Sequence, residues 1–404
     1  MVAAKNVNTN HSSQRGLPAL LSASIAGLLL SITTQAQAEV EGVPLHGFAD
    51  VGFALHTYLP PNTNGIPAIP SGFNVGSLDF YLTPQFENNV KALIEIIFET
   101  TNAGEVATDL ERLQMGYTFS DNATAWAGRF HTPYGYWNTA FHHGAQIQTS
   151  ISRPRFLDFE DKGGILPAHM VGLWATGKVK TSGGKFTYDA FVGNGPKISM
   201  AQDPVNPASP TIAVPQGLGT LSINTSGDNN HQAMVGFNLG YDFSGNVDGL
   251  RLAVHGLFGD VDDDSNGSFA IGPNKTELNM AGASVVYMGN DWEIMGEYYS
   301  FNNKDKSGTT GSHSSWADYL QVGKNFNGLT PFVRVEKTAL DQADMYFAMQ
   351  ENGQSYFRQA LGLKYDLNQK ASLKLELLNS NFSAAPNRTA YDYRSFLAQY
   401  AIRF

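Results

Sequence analysis

From Glu39 to the last residue, apolar and polar side chains alternate one by one in short runs bounded by Gly, Asn, Asp or Pro, with almost no helical spacing among them. The last run is the clearest: Phe396, Ala398, Tyr400, Ile402 and Phe404 share one face, and Ser395, Leu397, Gln399, Ala401 and Arg403 the other. Leu373, Leu375 and Leu377 alternate with Lys374 and Glu376, while Val90, Ala92, Ile94, Ile96 and Phe98 oppose Lys91, Glu95 and Glu99. This pattern predicts an all-β chain. In a soluble sandwich the apolar face is the inside, whereas in a membrane barrel it meets lipid, and the period alone does not separate the two.

The connections do. Sixteen runs fall at 46–56, 74–86, 90–99, 109–119, 122–130, 168–178, 184–193, 231–243, 249–259, 275–288, 291–301, 314–326, 328–338, 356–367, 370–380 and 391–404. Even-numbered runs are followed by short turns such as Ser120-Asp121-Asn122, Met288-Gly289-Asn290 or Asn327-Gly328, and odd-numbered runs by longer polar connections such as 57–73, 194–230 or 339–355. Short turns on one rim, long loops on the other and an even strand count predict a transmembrane antiparallel up-and-down β-barrel. A backbone that crosses lipid must satisfy its own hydrogen bonds, through helices or a closed sheet. The run at 314–326 is the least regular, because Asp318 interrupts it. Trp126, Phe130, Trp174, Tyr241, Phe243, Trp292, Tyr298, Phe326, Tyr365 and Phe404 are the candidates for aromatic girdles at the two interfaces.

Composition adds a compartment. Lys5 and Arg15 precede an apolar run from Leu17 to Ile32 that ends at Ala36-Gln37-Ala38, so residues 1–38 read as a secretory signal cleaved before Glu39, and 39–404 as the barrel. The chain has no cysteine, which excludes a disulfide scaffold and a haem-attachment pair. Without Lys5 and Arg15, the 26 Lys and Arg become 24, against 36 Asp and Glu. That sign makes nucleic acid an unsuitable partner. No nucleophile-elbow motif is present, and neither an enzyme nor a cofactor is expected.

With these features in place, the chain resembles a Gram-negative outer-membrane porin of the sixteen-stranded type. Gly47-Phe48-Ala49-Asp50-Val51 and Gly128-Arg129-Phe130-His131-Thr132-Pro133-Tyr134-Gly135 are similar to segments of the phosphate-selective porin O and P family. Terminal Phe404, with apolar residues at alternate positions before it, resembles the signal read by the outer-membrane assembly machinery. The resemblance implies outer-membrane lipid and lipopolysaccharide as surroundings, small hydrophilic solutes or anions as cargo, and a homotrimer. It also implies that the third external loop folds inward and narrows the pore; here that loop is 131–167.

Arg129, Arg153, Arg155, Asp158, Glu160 and Asp161 are the candidate constriction residues. Putting aliphatics outward assigns Lys91, Glu95, Arg112, Arg251, Glu293, Arg334, Glu336, Arg358, Lys364, Lys374, Glu376 and Arg403 to the lumen wall. The two signs nearly cancel there, which predicts weak charge discrimination. The arginine ladder and lysine cluster of phosphate-selective channels are missing, so Arg153 and Arg155 either bind an anion or pair with the adjacent acids. His131, His142, His143 and His169 surround the loop, but adjacent histidines do not readily face one ion and no acidic spacing fits a known ligand set, so no metal is expected. The run Asp260 to Gly267 has half of a calcium loop, with Pro273 where a bidentate Glu is required. A passive channel is therefore the expected function. A sheath for a threaded partner protein and an outer-membrane hydrolase are the alternatives.

Overall fold

The structure is a computed structural model that describes residues 43–57, 71–86, 89–100, 105–141, 143–159, 164–199, 220–223, 232–262, 275–306, 310–348, 350, 353–386 and 389–404. The first seven strands are β1 (Leu45–His56), β2 (Gly72–Leu82), β3 (Val90–Thr100), β4 (Val106–Ser120), β5 (Ala123–His131), β6 (His169–Thr181) and β7 (Gly184–Gly193). Two short strands, β8 (Lys197–Ser199) and β9 (Thr220–Ser222), form a separate two-stranded sheet among the described residues. The chain then continues through β10 (Met234–Phe243), β11 (Leu250–Asp262), β12 (Lys275–Gly289), β13 (Trp292–Asp305) and β14 (Ser312–Lys324). It ends with β15 (Leu329–Ala339), β16 (Tyr356–Asn368), β17 (Ala371–Phe382) and β18 (Tyr391–Arg403). Leaving out β8 and β9, each strand pairs antiparallel with its neighbours and β1 pairs with β18, so sixteen strands form one closed barrel. Every run read from the alternation falls on one of them.

Turn chemistry sets the register on one rim. Asn290 and Asp291 have φ of 50° and 64°, and Asn327 and Gly328 have 53° and 92°, which is the left-handed pair that a two-residue hairpin turn demands. The seam is closed by backbone bonds from Gly47 N–H to the Phe404 carbonyl at 3.1 Å and from Phe404 N–H to the Gly47 carbonyl at 3.0 Å. Only glycine fits at 47, since a Cβ there would lie 2.3 Å from the Phe404 ring. The ring itself packs edge-on against Phe80.

The burial pattern decides between sandwich and barrel. On β16 and β17 Leu361 and Leu377 are 56% and 53% exposed, whereas Lys374 and Glu376 are 2% and 1% exposed. Apolar outside and charged inside is the inverse of a soluble protein and is what a lipid-facing wall requires. Asp318 faces outward, directly opposite Lys337 on the next strand, so the irregular run carries a cross-strand pair of opposite charge. Among the girdle candidates Trp292, Tyr298, Phe326, Tyr365 and Phe404 are exposed. Trp126, Phe130 and Trp174 are a correction: they turn inward, with Lys91 over the Trp126 ring and Trp174 stacked on it. Aromatic residues near a strand end carry no label for their face until the register is known.

The apolar core lies inside the barrel. It is built where α1 (Trp137–Ala140) of the third external loop and α2 (Met345–Ala348) of the connection after β15 meet inward side chains, among them Tyr299, Phe301 and Tyr319. Trp137, Phe156, Tyr346 and Phe347 are all fully buried in it.

Replacing Leu361 by Arg places a cation on the lipid face in the middle of β16. We expect a loss of about 2–4 kcal/mol in reversible unfolding from lipid vesicles, against less than about 1 kcal/mol for the same change near an interface. A loss-free Leu361→Arg variant would contradict the assignment of faces.

Candidate functional site

The third external loop leaves the rim at Thr132 and turns into the lumen at Gly135, whose φ is +65°. A Cβ there would sit 2.2 Å from Tyr299 Oη and 2.4 Å from Glu297 Oε2, so the turn is open only to glycine. Immediately after it, the N–H groups of Tyr136 and Trp137 donate to the Glu297 carboxylate at 2.7 and 2.8 Å. The hydroxyls of Tyr299 and Tyr319 donate to the same carboxylate at 2.8 and 2.7 Å. Asn138 holds the stem, with Nδ2 donating to the carbonyls of Thr132 at 2.8 Å and Ala168 at 3.1 Å.

Further along, the loop runs over the wall formed by β13 to β17. The Thr149 hydroxyl donates to Glu293 at 2.6 Å. Lys374 donates to the carbonyls of Ala145 and Ser150. Glu376 accepts from the N–H groups of Ile151 at 2.6 Å and Ser152 at 3.1 Å, and also from the Ser152 hydroxyl. Arg334 donates to Ser150 Oγ and the Ser152 carbonyl, both at 2.9 Å, and to the Arg153 carbonyl at 3.2 Å. It also pairs with Glu336 at 2.9 Å. Glu336 in turn accepts from Arg155 N–H at 2.7 Å, while the Tyr356 hydroxyl accepts from Phe156 N–H at 3.0 Å. The connection after β15 reaches the same loop, its Tyr346 hydroxyl donating to the Ile165 carbonyl at 2.7 Å.

Several sequence-assigned residues change meaning. Arg153 is buried, donating to the Leu157 carbonyl at 3.0 Å and lying over the Phe159 ring, and the Arg155 guanidinium lies over Phe382. Asp158 accepts from Phe159 N–H at 3.1 Å. Arg129 is a correction, because β5 alternates with Trp126, Gly128 and Phe130 inward and pairs Arg129 with exposed Leu113 on the other face. Its Nε donates to the Glu111 carbonyl at 3.0 Å. Glu160 and Asp161, His142, and the acidic run from Asp263 onward lie outside the described residues.

On the wall, Glu95 pairs with Arg112, Arg358 approaches Glu336 at 3.9 Å, and Lys364 pairs with Asp366 at 3.2 Å. Arg403 is exposed beside Phe404. Glu111 was not legible. Simple alternation puts it on the face opposite Arg112, but a register shift in the β3–β4 ladder, between Glu95 and Ile96, brings both inward. Glu111 then meets His143 of the loop, with Oε2 and Nε2 3.4 Å apart, and also His169 at the start of β6.

Beside the loop a cavity of about 400 Å³ remains, lined by Tyr136 and Thr139 on one side and by Lys185, Asp242 and Arg251 on the other. Asp242 pairs with Arg251 at 2.6 Å and Lys185 at 2.9 Å, so both signs border it. Burial, with the Glu293 charge adding to it, pushes the Tyr136 hydroxyl above its ordinary pKa and keeps it neutral. A larger concavity of about 780 Å³ lies on the outer wall among Val51, Phe73, Leu363, Leu375 and Tyr400, on the lipid side and away from these groups.

No protein-family model matches the chain, and no curated protein matches it by sequence. Solved structures do. An anion-selective porin from Comamonas acidovorans aligns over 90% of this chain and 99% of its own, at TM-score 0.55 and 12% identity. The outer-membrane channel DcaP of Acinetobacter baumannii aligns over 90% and 98%, at 0.55 and 10%. The trimer form of OmpT, an outer membrane protein of Vibrio cholerae, aligns over 90% and 99%, at 0.54 and 10%. The fold is that of the sixteen-stranded outer-membrane porins.

Removing Arg334 leaves Glu376 buried beside the loop without its paired guanidinium and Glu336 with only the more distant Arg358, a change that costs about 3–5 kcal/mol unless the loop lets go. We expect Arg334→Ala to keep the barrel but to expose 145–157 to limited proteolysis. Protease resistance equal to that of the unaltered protein would show that the tether is not held there.

Proposed function

We propose that the protein is a passive, water-filled diffusion channel for ions and small hydrophilic solutes in the outer membrane of a Gram-negative bacterium. The observation that carries the reading is a closed sixteen-stranded barrel with an apolar exterior, a charged interior and the third loop folded inside it. Eight strands are filled by side chains, whereas sixteen enclose an aqueous lumen. The third loop is the constriction. Weak charge selectivity is supported by the mixed signs around the cavity at Lys185, Asp242 and Arg251. Export after removal of 1–38, assembly through terminal Phe404, and a homotrimer in lipid and lipopolysaccharide complete the proposal. A trimer form of a solved barrel with this fold supports the last part.

The rival readings fare worse on geometry. A threaded partner would have to share the lumen with the third loop. A hydrolase needs a nucleophile whose proton goes to a base. Thr310, His313 and Asp341 lie in a row, with Thr310 Oγ1 3.0 Å and Asp341 Oδ2 2.8 Å from the imidazole. The Thr310 hydroxyl, however, donates to Asp305 at 2.9 Å rather than to the histidine.

Reconstituted in planar bilayers under a salt gradient, the protein should conduct in discrete steps with a reversal potential near zero. Deleting 142–160 should raise single-channel conductance while the barrel keeps its heat-modifiable gel mobility. A folded deletion variant with unchanged conductance would remove the constriction assignment, and a folded, inserted barrel that stays silent would remove the channel itself.

A further inference from the structure

We propose that Glu111, His143 and His169 form a binding site for a divalent transition-metal ion, of the zinc class, that pins the third loop to the β4–β6 side of the wall. The locking role rests on the constriction reading; the site itself does not. The three residues come from separate parts of the chain, namely the bulged part of β4, the loop, and the first residue of β6. All three are buried, and one ligand atom from each lies within 4.8 Å of the others. Both imidazoles turn Nε2 toward the same carboxylate oxygen, at 3.4 Å for His143 and in close contact for His169.

Two imidazoles and a carboxylate are a recognised zinc set, leaving a fourth position for water. Bonds of about 2.0–2.1 Å in tetrahedral geometry separate ligand atoms by roughly 3.3 Å. The His143–Glu111 separation already matches that edge, and the His169–Glu111 contact would open slightly to admit the ion. The Phe159 ring stacks on His143 at 4.5 Å and 8°, fixing its orientation and screening it from water. His131 stands next to His169 with Nε2 3.3 Å from buried Glu95, whose charge is also shared with Arg112. The ligand set excludes calcium and magnesium as natural occupants, since those take oxygen ligands.

The loop's polar tethers to Glu293, Glu297, Arg334, Glu336, Lys374 and Glu376 all lie on β13 to β17. A metal at the trio would hold it from the opposite direction.

The test uses the refolded full barrel after chelator treatment, titrated with zinc chloride in a calorimeter. One ion per chain is expected, and His143→Ala and His169→Ala should each weaken binding at least about 100-fold. His56→Ala, a histidine bonded to Ser395 elsewhere, should bind as the unaltered protein does. Heat-modifiable mobility verifies that each variant folds, and His143 belongs to the loop rather than to the barrel. In bilayers, zinc should reduce current fluctuation reversibly by chelator, and not in His143→Ala. No binding, or binding untouched by His143→Ala, overturns the site. Zinc bound at the trio with unaltered current overturns the locking role, while the deletion of 142–160 tests the constriction separately.

Discussion

The arrangement depends on wall carboxylates that accept backbone N–H groups of a loop lying in the lumen. A chain segment that leaves the rim and enters a barrel has no strand to pair with, because every edge is already closed. Its amides still need acceptors once buried. Glu297, Glu336 and Glu376 supply them from β13, β15 and β17, taking the N–H groups at 136–137, 155 and 151–152. Alternate strands are the natural source, since the inward residues of neighbouring strands stand side by side and acidic neighbours would repel. Arg334 and Lys374 fill the intervening space and satisfy the loop's carbonyls. Loop and wall thus exchange charge-assisted hydrogen bonds where bulk water is largely excluded, and such bonds are stronger there than on a surface.

This alters what a count of lumen charges means for selectivity. Inward alternation gathers many ionised groups of both signs, but those buried under the loop are committed to it. A permeating ion responds to charges that it can approach through water. Lys185, Asp242 and Arg251 border an open cavity and are partly exposed, whereas Arg334, Glu336 and Glu376 are not. Two chains with the same wall composition would therefore differ in selectivity according to where their loops are tethered.

The barrel was legible in the sequence for a simple reason. A wall with lipid on one side and a polar lumen on the other imposes a strict two-residue period, and turn residues such as Asn327-Gly328 mark where it stops. The site was legible only as a loop of the right length in the right place. Its tethers to β13 to β17 pair residues between 144 and 229 positions apart, such as Thr149 with Glu293 and Ala145 with Lys374, and no local pattern encodes them. Faces failed where the ladder is irregular or its ends are reached. Glu111 is redirected by a bulge, Arg129 shares the outward face of Leu113, and Trp126 and Trp174 belong to the lumen. His143 and His169 gave no metal spacing because their partner is Glu111, brought over by that bulge.

Constriction and barrel are also separable in energy. The sheet closes through its own ladder, ending in the Gly47–Phe404 backbone pair, and none of those bonds involves the loop. The tethers use side chains that point away from the ladder, into the lumen. Weakening a tether therefore removes hydrogen bonds from the loop while leaving the strands fully paired, provided no ionised wall group is stranded without its partner. The wall avoids that hazard by setting Arg334 against Glu336 and Glu376, so that two of the three amide-binding carboxylates keep a cation whatever the loop does. Glu297 has no such cation among its described contacts; its donors are two tyrosine hydroxyls and the amides beyond Gly135. The point where the loop enters the lumen is consequently the one whose loss would disturb the wall most, and it is also the one fixed by a glycine that no other residue can replace.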